Sequence, residues 1–171
     1  VNWAADGTVT FTPTANYTGA VSFTYTMRDT AGATSTATVN GNVTAVNDAP
    51  LAVNDTITVT EDTAASGNVL ANDSDVDPSA GSGQPALAVT QFVWNGVTTA
   101  AGSTATVAGV GMLVINSNGT FAFTPAANYT GAVPVATYTV SDGAATSTAT
   151  LTIGPVSAVN DAPSAVNDTI A

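Results

Sequence analysis

Apolar and polar residues alternate along most of this chain, with a period of two. In residues 21–27 (VSFTYTM), Val21, Phe23, Tyr25 and Met27 share one side and Ser22, Thr24 and Thr26 the other. In residues 147–153 (STATLTI), Ala149, Leu151 and Ile153 alternate with Thr. Successive side chains of a strand point to opposite faces, so these segments predict half-buried β-strands. No segment carries a 3.6-residue apolar period with caps. Strands are expected at 8–12, 21–27, 34–44, 52–60, 67–70, 86–93, 104–108, 110–116, 119–124, 133–140, 145–156 and 164–170. Val and Thr dominate these runs, and both suit a pleated, half-buried surface. Asn118–Gly119 and Asn95–Gly96 sit between apolar runs and predict two-residue hairpins, because Asn and Gly tolerate positive φ. The longest apolar run, Val107 to Ile115, has nine residues with two Gly, too short to span a bilayer.

The pattern is also periodic on a larger scale. Residues 45–57 (AVNDAPLAVNDTI) match residues 158–170 (AVNDAPSAVNDTI) at twelve of thirteen positions. Residues 11–21 (FTPTANYTGAV) match residues 123–133 (FTPAANYTGAV) at ten of eleven. The repeat is about 113 residues long, so each repeat is one structural unit. The expected organisation is the C-terminal part of a first repeat at 1–49, a complete repeat at 50–162 and the first strand of a third at 163–171. Residues 1–49 have no counterpart of residues 50–112, so a partial sandwich with open edges is expected there. Either the chain is a window on a long tandem array, or missing strands come from a neighbouring copy by β-strand addition. The chain opens on Val with no leader-like segment, so a leader was removed or the sequence is part of something longer.

Seven or so short strands per repeat, punctuated by turns, predict an all-β fold of tandem Greek-key, immunoglobulin-like β-sandwiches. Phe121, Phe123, Tyr129 and Tyr138 recur in the first repeat as Val9, Phe11, Tyr17 and Tyr25. These positions are expected to be core and corner residues, a carbohydrate-stacking surface being the alternative. Tyr17 and Tyr129, each in NYTG, are placed to tie a crossover loop to the backbone.

Composition then removes whole classes of chemistry. There are 12 acidic side chains, one basic one (Arg28), a net charge of −11, and no Cys, His or Lys. No Cys nucleophile, Ser–His pair or Schiff-base Lys can be assembled. No Cys/His zinc site and no disulfide is possible. One Arg cannot neutralise a row of phosphates, so neither nucleic acid nor an anionic membrane is an expected partner. Carboxylate chemistry remains, and its commonest form in such a setting is calcium binding.

The acids are placed, not scattered. Asp48 and Asp161 lie in VNDAP segments, Asp55 and Asp168 follow in the next strand, and Glu61 and Asp62 are adjacent. Asp73, Asp75 and Asp77 form N-D-S-D-V-D, while Asp29 and Asp142 begin turns. Neighbouring carboxylates repel unless a cation lies between them, and calcium takes six to eight oxygens of this kind. The Asp73–Asp77 run is not an EF-hand, because Pro78 and Gln84 replace its Gly and Glu. Solvated turns are the alternative reading. Paired acids for glycoside hydrolysis are not expected, since no aromatic cleft or cationic partner accompanies them. Sequons such as Asn16, Asn72 and Asn128 follow from the high Thr content.

Taken together, VNDAP (46–50), AVNDTITVTEDT (52–63), VLANDSDVD (69–77), NGTFAFTPAANYTGAV (118–133), YTVSDGAATSTATLTI (138–153) and VNDAP (159–163) resemble tandem cadherin-like and bacterial immunoglobulin-like repeats. Such repeats occur in large RTX-type (VCBS-repeat) surface adhesins. The loop Pro78 to Pro85 departs from that pattern, which continues Gly-Asp after DSDVD. The resemblance implies a secreted, bacterial cell-surface rod with no enzymatic activity, its linkers rigidified by Ca2+. It implies that Asn47, Asp48, Asp73, Asp75 and Asp142 meet at the first junction, and that Glu61 lies near the far one with Asn160 and Asp161. Asp77, Asp62 and Asp29 are further candidates. Expected partners are neighbouring repeats of the same chain or neighbouring copies, and an adhesive ligand is not expected to bind here. The alternative is a self-assembling extracellular filament joined by strand donation. A lectin-like module would need exposed aromatics in 78–104, where Phe92 and Trp94 stand.

Overall fold

The computed structural model describes residues 1–4, 6–77 and 86–169, and every described element is a β-strand, turn or loop. The strands are β1 Asn2–Trp3, β2 Val9–Thr10, β3 Gly19–Arg28, β4 Thr34–Val43, β5 Asp55–Ile57, β6 Ala65–Asn68, β7 Ala88–Trp94, β8 Val97–Ala100, β9 Thr104–Val107, β10 Gly111–Ile115, β11 Thr120–Pro125, β12 Ala136–Ser141 and β13 Thr146–Ile153. The chain divides into a first unit, residues 1–48 with 76–83, and a second, 49–75 with 84–171. The expected long loop at 78–85 lies outside the described residues.

The second unit is a sandwich of a four-stranded sheet, β6-β11-β10-β9, and a five-stranded sheet, β5-β13-β12-β7-β8. The chain changes sheets between β5 and β6, β6 and β7, β8 and β9, and β11 and β12, as Greek-key connections require. Alternation explains the core. Leu113 and Ile115 of β10, Phe121 and Phe123 of β11, Tyr138 and Val140 of β12, and Leu151 and Ile153 of β13 all point inward and are buried. Trp94 of β7 meets Phe123 edge to face across the sheets, with centroids 6.1 Å apart. Its indole N–H donates to the Pro134 carbonyl at 2.8 Å. Val89 and Phe92 are both buried although three residues apart, and a register shift opposite them, between Thr139 and Val140, absorbs the extra residue. Burial of Phe92 and Trp94 removes the aromatics that a lectin surface at 78–104 would need.

The Asn95–Gly96 turn joins β7 to β8 with φ of 49° and 78° at its two residues, the expected two-residue geometry. β8 itself was not among the expected strands, because VTTA has little apolar contrast. The β10–β11 loop differs from expectation. Gly119 N–H donates to Asn116 O and Asn116 N–H to Thr120 O, so the connection is longer than two residues, with Gly119 at φ 82°. A Cβ at Gly119 would lie 2.3 Å from Asn68 Oδ1 and 2.6 Å from Leu70 Cγ. Gly119→Ala therefore combines backbone strain with a clash and should destabilise the unit by more than about 1 kcal/mol. A lowered urea midpoint checks this, and an unchanged one would show that the loop relaxes freely.

In the first unit β1 pairs with β2, and β3 pairs with β4 over ten residue pairs. These four strands correspond in sequence to β10–β13. In the second unit those counterparts are flanked by β9, β6, β7 and β5. The first unit lacks such flanks among its described residues, and its apolar face stays open. Trp3 is 50% exposed and Met27 57%, whereas Ile115, the counterpart of Trp3, is fully buried. Trp3 packs on Phe23 and Tyr25, with centroids 6.1 and 5.6 Å away. The corner tyrosines do what their position suggests: Tyr17 donates to Ala20 O at 2.6 Å and Tyr129 to Ala132 O. A strand was expected at 164–170, but residues 164–169 pair with nothing and form none, Val166 being 84% exposed.

Candidate functional site

One end of the second unit concentrates oxygen atoms. Tyr138 is fully buried because β12 points it inward. Its hydroxyl lies 2.9 Å from Val53 O, 2.9 Å from Asp55 Oδ2, 3.1 Å from Val69 O and 3.5 Å from Asp73 Oδ1. A phenol has one proton to donate, so these acceptors outnumber the donor they share. Asp73 Oδ1 also accepts the Val53 N–H at 2.7 Å, and Asp73 Oδ2 is buried without a hydrogen-bond partner. Beside them Asn54 Oδ1 accepts the Thr150 N–H at 2.9 Å, and Asn72 Nδ2 donates to Asn54 O at 3.4 Å. Pairing of β5 with β13 and of Leu51 with Ser74 brings Asp55 and Asp73 to the same end.

The electrostatics follow chiefly from burial. Burial pushes the Asp55 carboxyl above its ordinary range; the Tyr138 hydrogen bond opposes this and the Asp73 charge adds to it. Burial likewise raises Asp73, against the Val53 N–H and Tyr138. Tyr138 is pushed up, first by burial and then by its hydrogen bond to Asp55. Carboxylates and backbone carbonyls without enough donors are the hard-oxygen set that calcium selects.

The residues expected from sequence are placed as follows. In the first unit Asn47 Nδ2 donates to Asp48 O at 2.8 Å, and the Asp48 N–H donates to Asp77 Oδ2 at 2.7 Å. In the second, Asp75 is half-buried next to the Leu51–Ser74 bridge. Asp142 is 2% exposed, and its Oδ1 accepts the N–H groups of Ala144 and Ala145 at 2.7 and 2.6 Å, closing the β12–β13 turn. Glu61 is 5% exposed; its Oε1 accepts the Val159 N–H at 2.6 Å and its own N–H donates to Ser157 O. Asp62, at φ 59°, accepts the Asn128 N–H at 3.1 Å. Asn160 Nδ2 donates to Asp161 O at 3.3 Å, and both residues are exposed. Asp29 accepts the Ala33 N–H at 2.8 Å within its turn. Many of these acids thus serve as turn or strand-end acceptors. Among the described residues no group of three or more acids converges closely enough to hold a metal by carboxylates alone.

Sequence reasoning had not grouped Asp55 and Tyr138 with Asp73. The available signal was their recurrence: Asp55 returns as Asp168 in AVNDTI, and Tyr138 has its counterpart in Tyr25.

A two-sheet Greek-key sandwich with acids gathered at its ends is the architecture of an immunoglobulin-like β-repeat. Residues 47–157 match the bacterial cadherin-like domain and residues 1–44 the cadherin-like domain, so the chain belongs to the bacterial cadherin-like family. No curated protein matches it. Domains of this family are adhesion-type or structural modules, occur in extracellular surface proteins and generally bind Ca2+. No helix of the described residues is long and apolar enough to cross a membrane.

Proposed function

We propose that the chain is a non-catalytic extender segment of a secreted, RTX-type bacterial surface adhesin, stiffened by calcium at its linkers. The observation that supports this best is the buried, unpartnered Asp73 Oδ2 beside Asp55, at the end of the sandwich that bears the linker. Asp55 and Asp73, with the carbonyls of Val53 and Val69, would hold the ion. Asp75, in the same unit, would add to the shell, and Asp142 would fix the neighbouring turn. Glu61, Asp62, Asn160 and Asp161 would play these parts at the far linker. Bound calcium would supply charge neutralisation and cross-linking of segments, nothing catalytic. The chain supplies the rest: the Tyr138 hydroxyl holds Asp55, and the backbone N–H of Val53 holds Asp73.

Without the ion the carboxylates repel and the linker flexes. With free calcium 100-fold above Kd, one site contributes about 2.7 kcal/mol. For a unit of this size that corresponds to a rise in Tm of roughly 10 °C. Thermal unfolding in excess calcium and then in chelator reads the shift directly. Equal midpoints would reduce the acids to turn acceptors and remove calcium from the mechanism.

A further inference from the structure

We propose that Tyr138 is the positioning residue of the cation site, its hydroxyl gathering the ligand oxygens before the ion arrives. This role rests on the calcium site proposed above. The phenol is a fixed point. Tyr138 lies in the middle of β12, between Phe92 of β7 and Ala149 of β13, and is fully buried. Ladders on both sides hold its backbone, so the ring and its hydroxyl cannot follow a moving loop. The oxygens around it belong to segments with less support. Val53 and Asp73 stand outside any strand, Val69 lies in the turn after β6, and Asp55 opens the three-residue β5. Val53 O, Asp55 Oδ2, Val69 O and Asp73 Oδ1 nevertheless all meet at the one hydroxyl, within 2.9–3.5 Å of it.

A phenol proton serves one acceptor at a time. The other oxygens face the hydroxyl unneutralised, and Asp73 Oδ2 beside them has no hydrogen-bond partner. The hydroxyl thus assembles more negative oxygen than it can satisfy, and the excess is what a cation would take up. An ion that finds its ligands already ordered is spared the entropic cost of ordering them. A group that orients metal ligands without being one typically changes metal affinity by about 10–100-fold when it is removed. Loss of the hydroxyl should not unfold the unit. The Leu51–Ser74 bridge, the bond from the Val53 N–H to Asp73 Oδ1 and the β5–β13 ladder join these segments without it. Phenylalanine also keeps the buried ring.

The test is calorimetric calcium titration of the parent chain, Tyr138→Phe and Tyr129→Phe, each well below its melting midpoint in chelator. At that temperature a lost affinity is not a lost fold. Tyr129→Phe is the control, because the Tyr129 hydroxyl also donates to a backbone carbonyl, that of Ala132, away from Asp55 and Asp73. Tyr138→Phe should bind calcium about 10–100-fold more weakly than the parent, and Tyr129→Phe should bind it equally well. A second measurement needs no substitution: nuclear magnetic resonance of the parent chain, isotope-labelled at tyrosine Cζ. Of its four tyrosine signals, that of Tyr138 should move as calcium binds and that of Tyr129 should stay. Parent affinity in Tyr138→Phe, or a Tyr138 signal blind to bound calcium, overturns the positioning role and leaves the calcium site standing. Tighter binding by Tyr138→Phe overturns it too, since the hydroxyl would then obstruct the ion. A parent chain that binds no calcium removes the site itself, and the role with it.

Discussion

Trp94→Ala should leave the second unit largely unfolded under conditions where the unchanged chain is folded. Trp94 is 1% exposed, stacks edge to face on Phe123 and donates its indole N–H to Pro134 O. Removing a buried aromatic of this size costs about 3–5 kcal/mol, and the abandoned Pro134 carbonyl adds roughly 1–3 kcal/mol. A domain has only about 5–15 kcal/mol to lose. Trp94→Phe keeps an edge-to-face partner for Phe123 and loses the N–H, so its cost should be well below that of the Ala variant. Trp3→Ala is the control: Trp3 is half exposed and lies in the first unit, so the main unfolding transition should stay where it is. Urea unfolding followed by far-ultraviolet circular dichroism separates the three. A Trp94→Ala chain with the parent midpoint would mean that the two sheets do not share this core.

The contrast between those tryptophans also shows what the sequence could and could not reveal. Alternation located most strands of the second unit, since an inward-facing Leu113 or Phe123 betrays itself by period. It missed β8, whose residues are Thr, Ala and Val with no contrast between faces. It also missed β1, whose two residues carry too little pattern to register. It placed a strand at 164–170 on pattern and repeat identity alone. A strand, however, exists only where a neighbour accepts its backbone hydrogen bonds, and residues 164–169 have none. The candidate site was legible as a set of acids but not as a geometry. Asp73 was singled out for its spacing, while Asp55, eighteen residues upstream, joins it only through the Leu51–Ser74 bridge and the parallel β5–β13 ladder. Asp142 is a cation candidate through the resemblance, which matches it to a late Asp-Gly turn. The same Asp-Gly spacing serves an Asx turn, and both neighbouring N–H groups point at its carboxylate.

The pH dependence of stability should invert on adding calcium, and this is the sharpest test of the Asp55–Asp73 pair. Both carboxyls are raised in the folded state, chiefly by burial. A raised carboxyl favours the protonated fold. Its stabilising share is present below the unfolded value of about 4 and is lost as pH rises through the folded value. In chelator, therefore, Tm should be higher near pH 4.5 than at pH 7.5, roughly half a unit above the unfolded value against three or more. Calcium requires the ionised pair, so in excess calcium the order should reverse. Asp73→Asn separates the two effects. It removes a charge whose Oδ2 has no partner, while an amide oxygen can still accept the Val53 N–H. In chelator at pH 7.5 this variant should melt several degrees above the parent, and its response to calcium should vanish. If Asp73→Asn instead lowers Tm in chelator, the carboxylate is needed as a hydrogen-bond acceptor more than it suffers from burial. The buried oxygen would then be a structural cost of the turn and no longer the support for a cation site.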